Sequence, residues 1–296
     1  KNGATEQILW EKSKTRGQIQ IIKKSSDDNP INGKPAGSLL EGAIFEIVNA
    51  ETGVVVDRVV SDYRGVAASK PLPIGRYRIR EITAPDFYQL NKTEFEVSLK
   101  IPNDIVQVEV LNASANISTS VKKSGNTTVR PGQQMRYDFS DIANTSNVPL
   151  NNFFWHDEIP TDAVRLNVIH TGTWNQPGLT YSVTYKTNLT STYRTLAGGL
   201  LSTQSYDLDC SPSKLGLASN EYITDFRFEF GTVQPGFRED KKPMILVTVL
   251  QNLQNGYRFA NRTDVGGKYG DKWFTSSFTW VTEVIAPPVK YPTTGY

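Results

Sequence analysis

The chain has 296 residues, 21% of them charged, and a formal net charge of +2. That length suffices for two domains with ample cores, and the charge balance favours neither nucleic acid nor an anionic membrane surface. A single cysteine excludes an intramolecular disulfide, and with only two histidines beside it a zinc centre lacks ligands, so no metal or other cofactor is expected.

No apolar run approaches the length of a membrane-spanning helix. The opening "KNGATEQILWEKSKTRG" is polar, unlike a signal peptide, and residues 1–16 read as a connector from a preceding module. From there the pattern alternates with period two, in segments rich in β-branched and aromatic residues. Strands are predicted at "GQIQIIK", "GAIFEIV", "GVVVDRVV", "GRYRIREI", "TEFEVSL" and "DIVQVEVLN", with turns at "DDNPINGKPAG", "AETG" and "SDYRG". Short strands at this spacing predict a β-sandwich over residues 17–112. A second series runs from "NISTSVKK" to "FTWVTEVIA" and predicts a larger β-sandwich over residues 113–286. Its strands include "QMRYDFSDI", "NNFFWHDEI", "AVRLNVIH", "TYSVTYKT", "TDFRFEFG", "MILVTVL" and "YRFAN". Residues 191–222 are the least regular part, with a short helix expected in "SPSKLGLAS". Residues 287–296 form a Pro-rich tail, expected to be extended. The fold class is therefore all-β: two tandem immunoglobulin-like or prealbumin-like sandwiches joined by a short junction.

One anomaly carries chemistry. In "YRIREITAPDFY", Tyr77, Ile79 and Glu81 share a strand face, so an apolar face ends in a carboxylate while Arg78 and Arg80 point to water. Ile19, Ile21 and Lys23 share a face on the first strand; Val106, Val108, Val110 and Asn112 share one on the last. A lysine, a glutamate and an asparagine thus each end an apolar face. Burial lowers a lysine pKa and raises that of a glutamate. A neutral amine is a nucleophile, and a protonated carboxyl can polarise a carboxamide. Brought together, the three would form a Lys–Asn isopeptide bond and release ammonia. The plainer alternative is a Lys23–Glu81 salt bridge, or a Lys23 that reaches the surface.

"LLEGAIFEIVNAETGVVV", "SDYRGVAASKPLPIGRYRIREITAPDFYQL" and "VEVLN" resemble the collagen-adhesin B-type domain (Cna B-type, SpaA-like or prealbumin-like) of Gram-positive surface proteins and pilins. The stretch around Glu81 is similar to that family's "YxLxExxAPxGY", with Phe87 replacing its glycine. The resemblance implies Lys23 and Asn112 as the bonded pair and Glu81 as the catalytic acid.

In the second module, Ile117, Thr119, Val121 and Lys123 share a face, as do Phe153, Trp155 and Asp157, and Tyr257, Phe259 and Asn261. "VKKSGNTTVRPGQQMRYDF", "NTSNVPLNNFFWHDEIP" and "YRFANRTDV" resemble the larger isopeptide-forming domains of the same proteins, related to the collagen-adhesin A-type fold, in which Asp replaces Glu. That implies a Lys123–Asn261 bond with Asp157 as the acid; a one-residue slip in register would put Lys122 in place of Lys123. The tail "YPTTGY" resembles a sortase sorting signal through Tyr291, Pro292, Thr293, Thr294 and Gly295. A full signal would continue into an apolar helix and a basic tail, through which alone a membrane would be met. An acceptor lysine in a "YPK" context is missing, against a polymerised shaft subunit.

"DVGGKYGDK" lacks the spacing of a phosphate-binding loop and is expected to be a loop. His156 and His170 lie near no nucleophile signature and are expected on exposed loops or strands. Cys210 is expected to be buried and inert. The function implied is a mechanical and structural stalk or shaft module displayed on a cell wall, with sortase and peptidoglycan as partners. It is not an enzyme beyond single-turnover, self-directed bond formation. The competing reading is an adhesin domain that binds a host matrix protein or glycan through residues 186–222, where Tyr185, Tyr193, Tyr206 and Tyr222 lie in or beside the irregular region.

Overall fold

The computed structural model describes residues 15–286, which divide into two units, the first ending at Asn116 and the second beginning at Ile117. Both are built almost wholly from strands. The connector and the sorting-signal-like residues Tyr291 to Gly295 lie outside the described residues, apart from Thr15 and Arg16.

The first unit contains β1 (Arg16–Ser25), β2 (Ile44–Asn49), β3 (Val55–Val60), β4 (Val66–Ala68), β5 (Leu72–Pro73), β6 (Gly75–Thr83), β7 (Phe95–Leu99) and β8 (Ile105–Asn112). One sheet is centred on β1. On one side β1 pairs antiparallel with β4 and β5; on the other it pairs parallel with β8, from Gln18 opposite Ile105 to Ser25 opposite Asn112. The other sheet runs β3-β2-β6-β7. The inward residues of both sheets, among them Ile19, Ile21, Phe45, Ile47, Tyr77, Ile79 and Val110, make one core. Burial of each such side chain stabilises the fold by about 1.5–3 kcal/mol before entropy is counted. The outward face of β6 explains its arginines. Arg80 lies opposite Glu46 of β2, and its guanidinium donates to the Glu46 carboxylate at 2.7 and 2.9 Å, while Arg58 clamps the other Glu46 oxygen at 2.5 Å.

The second unit contains β9 (Thr119–Gly125), β10 (Thr128–Val129), β11 (Gln134–Asn144), β12 (Leu150–Glu158), β13 (Val164–His170), β14 (Thr173–Trp174), β15 (Thr180–Thr187), β16 (Thr190–Leu201), β17 (Asp207–Asp209), α1 (Pro212–Leu215), β18 (Ile223–Val233), β19 (Glu239–Lys241), β20 (Met244–Val249), β21 (Arg258–Tyr269) and β22 (Lys272–Val284). A seven-stranded sheet, ordered β10-β22-β21-β12-β18-β15-β16, packs on a five-stranded sheet, β17-β13-β20-β11-β9. The core between them is aromatic. Trp155 meets Phe139 of the facing sheet edge-on at 4.6 Å, and Trp174 stacks on Phe237 at 5.5 Å.

Two expectations are corrected. The irregular region begins with β16, a twelve-residue strand whose pairing with β15 shifts register three times; its polar sequence obscures it because it pairs only with β15 and is half in water. "DVGGKYGDK" is not a loop but the closed end of the β21–β22 hairpin, with Tyr269 paired to Lys272. The helix expected in "SPSKLGLAS" is α1.

Gly65 ties the fold to the lysine of β1. It sits at φ +68°, its carbonyl accepts the Lys23 amide at 2.7 Å, and a Cβ there would lie 2.7 Å from the Lys23 carbonyl oxygen. Gly65→Ala should therefore destabilise the first unit by more than about 1 kcal/mol, read as a lowered melting temperature in a Glu81→Ala background. An unchanged melt would show that this turn does not hold β1.

Candidate functional site

The two ends of the first unit's chain meet because β1 and β8 pair in parallel. Lys23 lies opposite Val110, so the inward side chains of Lys23 and Asn112 are diagonal neighbours in one sheet, and Glu81 of β6 faces them from the other. All three are buried: Lys23 is 0% exposed, Asn112 1% and Glu81 6%. Lys23 Nζ donates to Asn112 Oδ1 at 2.6 Å and to the Val110 carbonyl at 2.9 Å. Asn112 Nδ2 donates to both Glu81 oxygens, at 3.0 and 2.9 Å, and Glu81 Oε1 is 3.8 Å from Lys23 Nζ. Burial pulls the Lys23 ammonium down to about 8, against the opposing pull of Glu81. Burial also pushes the Glu81 carboxyl up, against the Asn91 amide, Asn112 and Lys23. The Asn91 amide, 2.7 Å from Glu81 Oε2, is a positioning contact that strand periodicity did not reveal, because it comes from the turn after the "APDFY" segment. Within the "APDFY" segment itself Phe87 takes φ +69°, the left-handed conformation that suits glycine.

In the second unit the layers are exchanged. Asp157 of β12 and Asn261 of β21 point inward from neighbouring strands of the seven-stranded sheet, and Lys123 of β9 comes from the five-stranded sheet. Lys123 is 3% exposed; Asp157 and Asn261 are 0% exposed. Lys123 Nζ lies 2.5 Å from Asp157 Oδ1, over the rings of Tyr137 at 4.4 Å and Phe139 at 4.5 Å. Burial lowers the Lys123 ammonium to about 8 and raises the Asp157 carboxyl, each against the attraction of the other. Asn261 lies beside Asp157 and the Tyr137 hydroxyl. Neither its Oδ1 nor its Nδ2 makes a hydrogen bond of ordinary geometry, and Asp157 Oδ2 is likewise unpartnered. Lys122, the alternative lysine, points outward to Asp141 at 2.8 Å with its side chain 68% exposed.

Residues 17–114 match the family model of the SpaA prealbumin-like fold domain. The first unit is a SpaA-type prealbumin-like domain. Among solved structures, the chain is similar to BcpA, the major pilin subunit of Bacillus cereus, at 17% identity over 92% of this chain and 69% of that one, with a TM-score of 0.30. It is similar to the full-length major pilin SpaD of Corynebacterium diphtheriae at 16% identity, over 90% of this chain and 65% of that one, with a TM-score of 0.29. For the RrgB pilus protein of Streptococcus pneumoniae the values are 12% identity, 88% and 49% coverage, and a TM-score of 0.32. Among curated proteins, no sequence matches the chain. No helix among the described residues is long and apolar enough to cross a membrane.

The four tyrosines weighed for ligand binding each have protein surroundings of their own. Tyr185 is in the core, and Tyr206 donates to Gln204 and accepts the Leu201 amide. Tyr193 lies beneath Lys186 at 4.2 Å and Tyr222 beneath Arg165 at 4.0 Å. The histidines are on strands, one of the two placements expected, but are less exposed than expected: His156 sits between Asp225 and Asp264, and His170 beside Asp207.

Cys210 is 2% exposed, and burial pushes its thiol up to about 12. Native protein at pH 8 should thus resist alkylation by iodoacetamide and react fully once unfolded, as followed by intact mass. Rapid native labelling would place Cys210 at an opening segment.

Proposed function

We propose that the chain is a structural stalk or shaft module of a cell-wall-displayed Gram-positive adhesin or pilin, hardened by self-formed Lys23–Asn112 and Lys123–Asn261 isopeptide bonds. The observation that carries this reading is the first-unit geometry: an amine with its pKa lowered, 2.6 Å from the oxygen of a carboxamide whose nitrogen is held by a carboxyl raised by burial. The match of residues 17–114 to the SpaA domain supports it.

Bond formation starts from the pair in its uncharged state. Neutral Lys23 Nζ attacks Asn112 Cγ while protonated Glu81, which lies against Nδ2, orients the carboxamide and stands in place to hand a proton to the leaving nitrogen. Glu81 then relays one proton from the new ammonium to Nδ2. The Cγ–Nδ2 bond breaks, one ammonia leaves, and a neutral amide joins the two side chains. The net change is amine plus carboxamide to amide plus ammonia, with Glu81 restored. Asp157 plays the corresponding part for Lys123 and Asn261. Each reaction occurs once, so the chain is not an enzyme in the ordinary sense.

The consequence is mechanical. Force entering along β1 would pass from Lys23 straight to Asn112, leaving the 89-residue separation between them out of the load path. By analogy with a disulfide, closing such a loop adds about 4–5 kcal/mol of stability, and resistance to proteases follows. Display on a cell wall would use sortase acting on the segment Tyr291 to Gly295.

Intact mass tests the reading. The wild-type chain should be lighter than its sequence by two ammonias; Glu81→Ala should restore one and Asp157→Ala the other. A wild-type mass equal to that of the unmodified sequence would refute it.

The pH dependence is also defined. The reactive form, neutral Lys23 with protonated Glu81, binds the same number of protons as the ion pair. In protein refolded from denaturant, the rate of ammonia loss should therefore be flat through the middle range. It should fall above about pH 8, as the last proton leaves Lys23. On the acid side it should fall as the pair takes up a second proton, through the raised range of Glu81. A rate that keeps climbing beyond pH 8 would show that the acid proton is not needed.

A further inference from the structure

The second unit has a buried hydroxyl that packing does not explain. Tyr137 lies on β11, opposite Gly125 of β9, and is 0% exposed. A Cβ at Gly125 would stand 2.8 Å from the Tyr137 ring, so the missing side chain is what seats the ring beside Lys123. The hydroxyl has no hydrogen bond of ordinary geometry, although it is sealed from water. Its polar neighbours are the side chains of Asn261 and Thr282. Thr282 already donates its hydroxyl proton to the Asn126 carbonyl at 2.8 Å.

Burying a donor without an acceptor is costly, and apolar replacement of such a group is close to neutral or better. Phenylalanine would fill the same space. The unsatisfied atoms nonetheless form a matched set: one phenolic donor, both ends of one carboxamide, and one carboxyl oxygen, Asp157 Oδ2. A small movement of Asn261 would let its Nδ2 donate to Asp157 and its Oδ1 accept from Tyr137. Its Cγ would then face Lys123 Nζ, which Asp157 Oδ1 already holds. In the first unit the Asn112 oxygen takes its hydrogen bond from Lys23 itself.

We propose that Tyr137 is a catalytic residue of the second-unit reaction, its hydroxyl donating to Asn261 Oδ1 as negative charge gathers there. This rests on the isopeptide reading above. As Lys123 Nζ attacks Cγ, the carbonyl electrons move to Oδ1, where the phenol and not water receives them. When the carbonyl re-forms, Nδ2 leaves as ammonia with the proton passed through Asp157, and Tyr137 keeps its own proton throughout. The site thus has two donors with separate tasks: Asp157 handles the leaving nitrogen and Tyr137 the oxygen.

The test follows bond formation in full-length protein refolded from denaturant and quenched at intervals, with each crosslinked peptide measured separately by mass spectrometry. Tyr137→Phe should slow the Lys123–Asn261 peptide about 100-fold, the effect of removing one oxyanion donor. The Lys23–Asn112 peptide in the same sample should form at the wild-type rate. In an Asp157→Ala background, where no second bond forms, Tyr137→Phe should leave the melting temperature unchanged or raised. Fluorotyrosine at position 137, a more acidic donor of nearly the same shape, should form the bond faster than tyrosine. An unchanged rate for Tyr137→Phe, or no acceleration by fluorotyrosine, would overturn the assignment. So would slowing that comes with a lowered melt in the Asp157→Ala background, because that is the mark of a purely structural tyrosine. If the wild-type chain forms no Lys123–Asn261 peptide, the isopeptide reading of this unit fails as well, an outcome distinct from these.

Discussion

A lysine ammonium sealed into an apolar core sets the terms for each unit. Removing such a charge from water costs several kcal/mol even after the protein relaxes. Lys23 and Lys123 are both sealed, with side chains 0% exposed. Each has one carboxyl in reach, itself buried and raised, so each pair can shed its charges by passing a proton from amine to acid. The uncharged pair leaves a nucleophile beside a carboxamide. Much of the surrounding architecture serves to keep that meeting dry and in register. The parallel pairing of β1 with β8 brings together side chains far apart in sequence, the inward alternation ends each face at the same depth, and aromatic rings flank Lys123.

Strand phase was the most legible part of both sites. A period of two assigns every second residue to one face, so Lys23, Glu81 and Asn112 could be placed inward from the sequence, as could Lys123, Asp157 and Asn261. The structure places all six there. What alternation does not carry is adjacency. Nothing in a strand's own residues says that β8 lies beside β1, or that β9 lies across the sandwich from β21. The two-residue strand β5 and the three-residue strand β4 are too short to show a period, and the polar edge strand β16 lacks the apolar stripe that marks a buried one. Tyr137 shows a further blind spot. Its inward phase was readable, but an inward tyrosine is ordinary core material until its hydroxyl is found without a partner. The arginines of β6 are the reverse case: they look gratuitous in sequence and are accounted for by carboxylates on other segments, Glu46 of β2 for Arg80 and Glu94 for Arg78.

The two sites solve one problem in opposite layers, and the difference decides what each bond would constrain. In the first unit the lysine and asparagine belong to neighbouring strands of one sheet, with the acid across the core. A bond there fixes the register of β1 against β8 and resists their sliding, the motion that tension along parallel terminal strands would drive. It does little to hold the sheets together, which remains the work of the Ile, Phe and Tyr side chains between them. In the second unit the acid and asparagine share a sheet, and the lysine reaches across from the facing one. A bond there ties the two layers directly and opposes their parting, while strand register within each sheet still depends on the backbone ladder. That larger core is rich in aromatic rings, whose packing depends on the spacing between sheets. A covalent strut between layers would hold that spacing at the edge of the five-stranded sheet, where β9 has only β11 as its neighbour within the sheet.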